Sequence, residues 1–304
     1  MGQTERAAIA MLERLLPQAP HGETWIGDDA AVLGGPGGST LLLATDALVD
    51  GVHFDRRWSR LGDVGWKALT ANVSDIAAMG GEPIASVVAV AGAVVADLGL
   101  LYDGLVAAAD AYSCPVVGGD LSAATELVVS VAVLGTVRDV APVLRSGACD
   151  GDTLFVTGVL GRSAAGLRLL REDPGLDDEC TDAHRRPVAR LGHGSSAARG
   201  GARAMLDVSD GLAIDLDRLA RASGVGIDLD DVPVARGATL EEALGGGEDY
   251  ELVFAAPDPD RVAAQFARDG LACPLAIGTC THDPSIRRLR GEKLAVTGYE
   301  HRLG

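Results

Sequence analysis

The amino-acid sequence predicts two tandem α/β domains, and three observations lead to this prediction. The chain has 304 residues, a length that suits one or two domains. Apolar, β-branched runs alternate with segments of helical spacing in both halves of the chain. Between the halves, residues 138–152 are polar and rich in turn formers, so we place the boundary there, with domains at 1–138 and 139–304.

The first half begins with a short amphipathic helix within residues 1–16, which lacks the basic start and continuous apolar run of a signal peptide. The elements predicted after it are strands at 30–33, 40–44, 84–95 and 127–137, helices at 62–79 and 98–112, and a short strand at 116–117 that leads into Gly-Gly-Asp. The strands are predicted from apolar, β-branched composition and the helices from their leucine and alanine spacing.

The second half restarts with a strand at 153–157, a glycine turn and a helix at 163–171. Residues 172–187 are polar and contain two prolines, so a loop or crossover is predicted there. A helix at about 210–223 and strands at 226–229 and 250–255 follow. Residues 192–203 are unusually small and polar, and the sequence predicts no element there.

The charge balance limits the classes of partner. The formal net charge is −17 and the pI is near 4.6, so the chain lacks the positive surface that nucleic acids and anionic membranes require. The five cysteines are odd in number and form no CxxC pair, which argues against a disulfide framework or a zinc site. We therefore expect a cytoplasmic protein that neither spans a membrane nor binds nucleic acid.

Aspartates occur where apolar strands are expected to end. Asp46 and Asp120 follow such runs, Asp28 and Asp29 precede one, and Asp207 follows Ala-Met-Leu. Each alone also fits a turn former or a helix N-cap. Together they point to a shared hard cation such as Mg²⁺, since carboxylates without cysteine are its usual ligands.

Asp75 is the most unusual of these carboxylates. It is the only charged residue between Ala68 and Gly81, and on a helix it shares a face with apolar residues. Burying a polar group without a hydrogen-bond partner costs roughly 2–7 kcal/mol, and burying an unpaired carboxylate costs more. Asp75 therefore either contributes to a cation site or forms a salt bridge, for which Lys67 is the candidate.

The segment 207–216 reads DVSDGLAIDL, and Ser209 is the predicted N-cap of the helix that follows. Asp207 and Asp210 would then lie at a helix N-terminus, which favours phosphate together with its metal. The sequence contains no P-loop, no GxSxG, no HExxH and no kinase HRD motif. A phosphotransferase that holds phosphates through aspartates and metal is the reading these residues favour.

Eight segments resemble the signatures of the thiamine-monophosphate kinase family. They are GDDAAVL (27–33), TDALVDGVHF (45–54), GWKALTANVSDIAAMGGEP (65–83), VVGGDLS (116–122), LRSGACDGD (144–152), DVSDGLAIDL (207–216), GGGEDYEL (245–252) and GYEH (298–301). The resemblance implies an α/β (α+β) fold, with an N-terminal mixed-sheet domain that dimerises, a C-terminal α/β domain, and an active site in the cleft between them. It also implies that ATP and thiamine monophosphate give ADP and thiamine diphosphate.

The resemblance further implies roles for individual residues. The Mg²⁺ ligands would be Asp29, Thr45, Asp46, Asp75, Asp120, Asp207 and Asp210. The nucleotide contacts would be Gly119, Asp120, Arg145 and Ser209, and the thiamine phosphate contacts would be His53, Glu248 and Tyr299. Asp210, Arg145 and Asp120 would be the catalytic group.

Blander interpretations of the substrate residues stay open at this point. His53 also fits an ordinary loop histidine, Tyr299 a ring packed on the core, and the GGGED segment a helix C-cap and turn.

Two other functions also compete with the kinase. A sibling such as selenophosphate synthetase would be expected to carry a reactive cysteine near the N-terminus, whereas the first cysteine is Cys114. A non-enzymatic calcium-binding protein would gather its aspartates in one loop rather than from many segments.

Overall fold

A computed structural model describes residues 3–303, and two sheets follow each other along this part of the chain. The described residues leave out Met1 and Gly2, which belong to the predicted first helix, and Gly304, the last residue of the predicted second domain. Among the described residues, no helix combines the length and the apolar character that crossing a bilayer requires.

The first sheet has five strands in the order β2-β3-β6-β4-β5. Its strands are β2 (Ala31–Gly34), β3 (Thr40–Val49), β4 (Glu82–Ala91), β5 (Val116–Ser122) and β6 (Val128–Val137), and β1 (Gln3–Thr4) lies outside it. The β4–β5 pair is parallel and the other pairs are antiparallel, so the sheet is mixed. Burial alternates along β6, which shows that one face packs on the core and the other does not.

Within the described part of the chain, helices cover only one face of this sheet. They are α2 (Leu61–Ala78) and α3 (Val95–Tyr112), while α1 (Glu5–Leu15) lies apart from this core. Glycine lets α2 and α3 approach closely, because a Cβ added at Gly104 would lie 1.7 Å from the carbonyl oxygen of Gly62. The opposite face leaves Leu43 and Val87 exposed by 44% and 45%.

The second sheet has seven strands in the order β13-β12-β9-β11-β7-β10-β8. Its strands are β7 (Thr153–Val156), β8 (Ala204–Asp207), β9 (Gly226–Leu229), β10 (Leu252–Ala256), β11 (Leu275–Thr281), β12 (Arg287–Leu289) and β13 (Glu292–Lys293). The β9–β12 pair is parallel and the other pairs are antiparallel. The helices of this half are α4 (Arg162–Glu172), α5 (Glu179–Arg185), α6 (Leu191–Gly200), α7 (Leu212–Ser223), α8 (Leu240–Gly245) and α9 (Pro259–Arg268). A short strand, β14 (Arg302–Leu303), pairs with β1.

The two halves share a hydrophobic cluster. Ala77 and Ala78, at the end of α2, pack with Phe155, Phe254 and Phe266 of the second half. Helix α2 also meets α6 at close range, since a Cβ added at Gly194 would lie 2.0 Å from the carbonyl oxygen of Ala77. Helix α2 therefore belongs to both cores.

Several local predictions were wrong. Residues 172–187 contain helix α5, which a capping box at Asp178 begins. Residues 192–203, for which the sequence made no prediction, contain most of α6. Ser209 is not a helix cap, because α7 begins at Leu212 with Gly211 as its N-cap and no side-chain cap. Strands β3 and β5 do not end at Asp46 and Asp120 but continue to Val49 and Ser122.

Candidate active site

A cavity of about 1210 Å³ lies between the two halves and collects most of the predicted site residues. Those on its wall are Asp29, Thr45, Asp46, His53, Asp75, Arg145, Asp207, Ser209, Asp210, Glu248 and Tyr299. They come from segments spread over most of the chain. The fold therefore brings together residues that the sequence could only place separately.

Three carboxylates form a cluster at the inner end of this cavity. Asp75 projects from α2, Asp207 is the last residue of β8, and Asp29 precedes β2. One oxygen of each lies within 4.8 Å of the others. Burial raises the pKa values of Asp75 and Asp207, and the neighbouring carboxylates raise them further.

The cluster fits a hard divalent cation. The side chain of Asp29 is only 2% exposed, and its Oδ2 atom has no hydrogen-bond partner among the described residues. A buried carboxylate oxygen without a donor costs free energy unless a cation or proton approaches it. Oxygen-only donors at this spacing are the ligands that Mg²⁺ prefers.

Arg145 lies beside the cluster and is held by the two adjacent aspartates. Its Nη2 atom donates to Asp29 Oδ1 at 2.5 Å, and its backbone amide donates to the Asp28 carboxylate at 3.1 Å. Burial, followed by the charge of Asp29, raises the pKa of Asp28 to about 7. The Arg145 side chain remains 26% exposed, so its positive charge faces the cavity.

A buried carboxylate holds the backbone amides of the loop after β8. Asp215 Oδ2 accepts hydrogen bonds from the amides of Asp210 and Gly211, each at 3.0 Å. Arg218 donates to both Asp215 and Asp210 at 2.6 Å. This network, rather than a Ser209 cap, fixes the position of Asp210.

The loop that contains Glu248 pairs with the loop after β8. The Glu248 amide donates to the Ser209 carbonyl at 2.8 Å, and the Tyr250 amide donates to the Val208 carbonyl at 3.0 Å. Glu248 adopts a left-handed backbone conformation with φ of 64°. The GGGED segment is therefore more than the end of a helix, although α8 does end at Gly245.

Glu248 is the partner of Lys67, which corrects the alternative that paired Lys67 with Asp75. Lys67 Nζ lies 2.9 Å from Glu248 Oε2, and His184 Nδ1 lies 3.3 Å from the same oxygen. Burial would raise the pKa of Glu248, but Lys67 and His184 outweigh it and lower that pKa. Burial, followed by Lys67, lowers the pKa of His184 to about 3. Glu248 thus carries a negative charge on the cavity wall.

His53 and Tyr299 meet through a third residue, His301. The amide of Val49 donates to His53 Nδ1 at 3.0 Å, so Nε2 carries the proton of the neutral ring. His53 Nε2 lies 3.4 Å from His301 Nε2, and the Tyr299 hydroxyl lies 3.3 Å from His301 Nδ1. His53 lines the cavity beside His301, and Tyr299 stays 44% exposed instead of packing in the core.

Gly119 and Asp120 are not part of this cavity wall. They lie on the edge strand β5, where Asp120 pairs in register with Ala89 of β4. Asp120 therefore shares the outer face of the sheet with exposed Val87, and it accepts a hydrogen bond from Ser122 Oγ at 3.0 Å. Within one chain the structure does not bring these two predicted residues to the others.

Sequence reasoning missed Arg218 and His301 on the cavity wall, as well as the roles of Lys67 and His184. His301 belongs to the quoted segment GYEH, and Arg218 lies two residues beyond DVSDGLAIDL. Their positions beside recognised segments were the available signal. What the sequence could not supply was the partner of each.

Comparisons with known proteins agree with the two-domain organisation. The family model described as AIR synthase related protein, N-terminal domain, matches residues 27–137, and the model of the corresponding C-terminal domain matches residues 150–289. The chain is similar to a thiamine-monophosphate kinase of Mycobacterium tuberculosis, with 44% identity over 77% of this chain and 75% of the relative. It is also similar to that of Salmonella typhimurium, with 37% identity over 92% of each.

A solved structure shares the whole architecture. It is described as AaThiL complexed with AMPPCP and TMP, and it superposes with a TM-score of 0.86 at 31% identity, over 98% of this chain and 97% of the other. The predicted fold class, two tandem α/β domains with mixed sheets, is thereby confirmed.

Proposed function

The chain belongs to the thiamine-monophosphate kinase family, as the eight sequence segments indicated, and we propose that it transfers the terminal phosphoryl group of ATP to thiamine monophosphate. The products are ADP and thiamine diphosphate, and the reaction is the last step of thiamine diphosphate biosynthesis. The observation that carries this proposal is the carboxylate cluster of Asp29, Asp75 and Asp207, which shares one cavity with Arg145 and Glu248.

The cavity has room for two substrates. Its volume of about 1210 Å³ exceeds the roughly 300–1,000 Å³ of a pocket for one small molecule. Phosphates would lie beside the aspartate cluster and Arg145. The acceptor would extend toward Glu248, His53 and Tyr299.

Metal and arginine together would offset the charge of two phosphate substrates. Mg²⁺ held by Asp29, Asp75 and Asp207, with Asp46, Asp210 and the Thr45 position nearby, would supply the positive charge that phosphoryl transfer requires. The guanidinium of Arg145, which is partly exposed to the cavity, would donate to phosphate oxygens. Asp215 holds the backbone amide of Asp210 and so keeps this carboxylate in place during the reaction.

The acceptor needs no general base. A phosphate monoester has a second pKa of about 6, so near pH 7 its oxygen is already largely ionised. The task of the protein is to hold this oxyanion in line with the terminal phosphate of ATP. The negative charge of Glu248, which the ammonium group of Lys67 maintains, suits the cationic thiazolium ring of the acceptor.

A homodimer is part of this proposal. The face of the five-stranded sheet that lacks helices exposes Leu43 and Val87, and a second copy would cover it. Asp120 and Gly119 lie at the edge of that face, so they would reach a nucleotide only if dimerisation or binding brings one to them. Light scattering tests this part, because Val87→Glu places a charge in the proposed interface and should yield monomers.

Product analysis tests the function itself. The protein is incubated in vitro with ATP, Mg²⁺ and thiamine monophosphate, and thiamine diphosphate and ADP are followed by chromatography. We expect equal amounts of both products, none with chelator, and none from Asp210→Asn with unchanged circular dichroism. Metal-dependent ATP binding without thiamine diphosphate would reject thiamine monophosphate as the acceptor and favour a sibling substrate. We place the reaction in the cytoplasm, where cell fractionation would find the activity.

A further inference from the structure

Two arginines neutralise carboxylates of the candidate metal site in this structure. Arg145 pairs with Asp29, and Arg218 Nη1 pairs with Asp210 Oδ2 at 2.6 Å. Arg145 is expected to contact the nucleotide. Arg218 has no role in the proposed reaction beyond holding the loop, yet it lines the same cavity.

The two acidic partners of Arg218 differ in how firmly they are held. Asp215 is 2% exposed, and its other oxygen already accepts two backbone amides, so it is fixed without Arg218. Asp210 is 28% exposed and has no second donor among the described hydrogen bonds. Asp210 is therefore the partner that can be exchanged.

The guanidinium of Arg218 also has N–H donors besides those of Nη1. Nη1 makes both recorded ion pairs, and no hydrogen bond of Nε or Nη2 is found among residues 3–303. Arginine binds phosphate through paired donors, and Arg218 is 30% exposed toward the cavity. It can thus give up Asp210 while Asp215 keeps it in place.

We propose that Arg218 is a placeholder cation that occupies Asp210 until Mg²⁺ binds and then donates to the phosphate oxygens of the nucleotide. This inference rests on the proposed function only in that the nucleotide enters the same cavity. It makes Arg218 a positioning residue for Asp210 in the metal-free protein and a direct ligand of phosphate afterwards.

The proposal requires changes of opposite sign in two affinities. Arg218→Gln removes the competitor for Asp210, so Mg²⁺ alone should bind about threefold to tenfold more tightly in calorimetry. The same variant should bind a non-hydrolysable ATP analogue, at saturating Mg²⁺, about tenfold or more weakly, because a phosphate donor is lost. A merely structural ion pair would weaken both.

Matched variants separate exchange from general electrostatics. Arg221 is three residues along the same helix, pairs with Asp217 at 2.6 Å and is 58% exposed outside the cavity wall. Arg221→Gln should change both affinities by less than about twofold. Arg218→Lys keeps the positive charge but lacks the paired donors of the guanidinium. It should leave the Mg²⁺ affinity near that of the wild type and give an affinity for the ATP analogue between those of the wild type and Arg218→Gln.

The outcomes are distinct from those of the acceptor test, because neither titration contains thiamine monophosphate. Weaker Mg²⁺ binding by Arg218→Gln, or an unchanged affinity for the analogue, overturns the placeholder role. Equal effects of Arg218→Gln and Arg221→Gln overturn it too. Binding of both ligands without any thiamine diphosphate formation instead rejects only the proposed acceptor.

Discussion

Asp75→Asn should stabilise the metal-free protein and at the same time remove its response to Mg²⁺. Asp75 lies within 4.8 Å of carboxylate oxygens of Asp29 and Asp207. At that distance and an effective dielectric constant of about 20, two ionised carboxylates repel by about 3.5 kcal/mol. Proton uptake relieves part of this repulsion, so we expect a net gain of about 1–2 kcal/mol in the free energy of unfolding.

The sign follows from the direction of the pKa shifts. The folded-state pKa values of Asp75 and Asp207 are raised, so the metal-free protein loses stability as pH rises above the unfolded value near 4. Asparagine at position 75 has no such charge, and the gain should therefore be larger at pH 8 than at pH 5. Mg²⁺ bound at the proposed site should stabilise the wild type by mass action, and the variant would lack one of the proposed ligands.

Thermal unfolding with and without Mg²⁺ measures both effects. We expect Tm of metal-free Asp75→Asn to rise by roughly 2–3 °C, and Mg²⁺ to raise the Tm of the wild type only. Asp152→Asn is the matched control, since Asp152 is 2% exposed, pairs with Arg203 at 2.9 Å and lies outside the cavity wall. It should lower Tm and keep the Mg²⁺ response. A metal-free Asp75→Asn that melts below wild type, or an unchanged Mg²⁺ response, would refute the cluster argument.

Three further predictions concern the acceptor end of the cavity. Lys67→Met should weaken thiamine monophosphate binding about tenfold and leave ATP binding within twofold by calorimetry, because Glu248 loses the ammonium group that keeps it ionised. His301→Ala should raise KM for the acceptor about threefold to tenfold with a smaller change in kcat, since Tyr299 loses a ring contact at 4.9 Å. His184→Gln should make the free energy of unfolding, measured in urea, fall less as the pH is lowered. The pKa of His184 is lowered to about 3, so the unfolded chain alone takes up this proton below pH 6.5, and the wild type loses about 1 kcal/mol more by pH 5.5.

A specific result would contradict each of these three predictions. Equal losses of ATP and acceptor binding in Lys67→Met would indicate a general collapse of the cavity. An unchanged KM in His301→Ala would leave His301 without a part in acceptor binding. Parallel pH profiles for wild type and His184→Gln would mean that His184 takes up its proton in the folded state as well.

The sequence predicted the carboxylate cluster better than its surroundings. Asp75 could be recognised because a charge on an apolar helical face requires a partner, whatever the fold. Asp46 and Asp207 could be recognised from their position beside apolar runs. In contrast, the pairing of Lys67 with Glu248 spans 181 residues and depends on how α2 meets the second half. No local pattern reports such a contact.

Local errors had local causes. Helix α5 was missed because it is seven residues long and lies in a segment of prolines and acids, where packing and the capping box at Asp178 decide the structure. Buried Arg185 ties this segment to its surroundings, because it donates to the carbonyl oxygens of Trp58, Leu176 and Pro174. Ser209 was misplaced as a cap because Asp215 supplies the amide acceptor from inside the helix.

The cluster shared by the two halves has a consequence for motion. Ala77 and Ala78 are fully buried against the phenylalanines of the second half, so opening the cleft by a hinge would expose apolar surface on both sides. Separating the halves would remove the packing of the cluster that they share, so the chain should unfold in a single cooperative transition although each half also has a core of its own. Substrates must therefore enter a cleft whose walls are already assembled, and the steps that accompany turnover fall to side chains and loops on its rim.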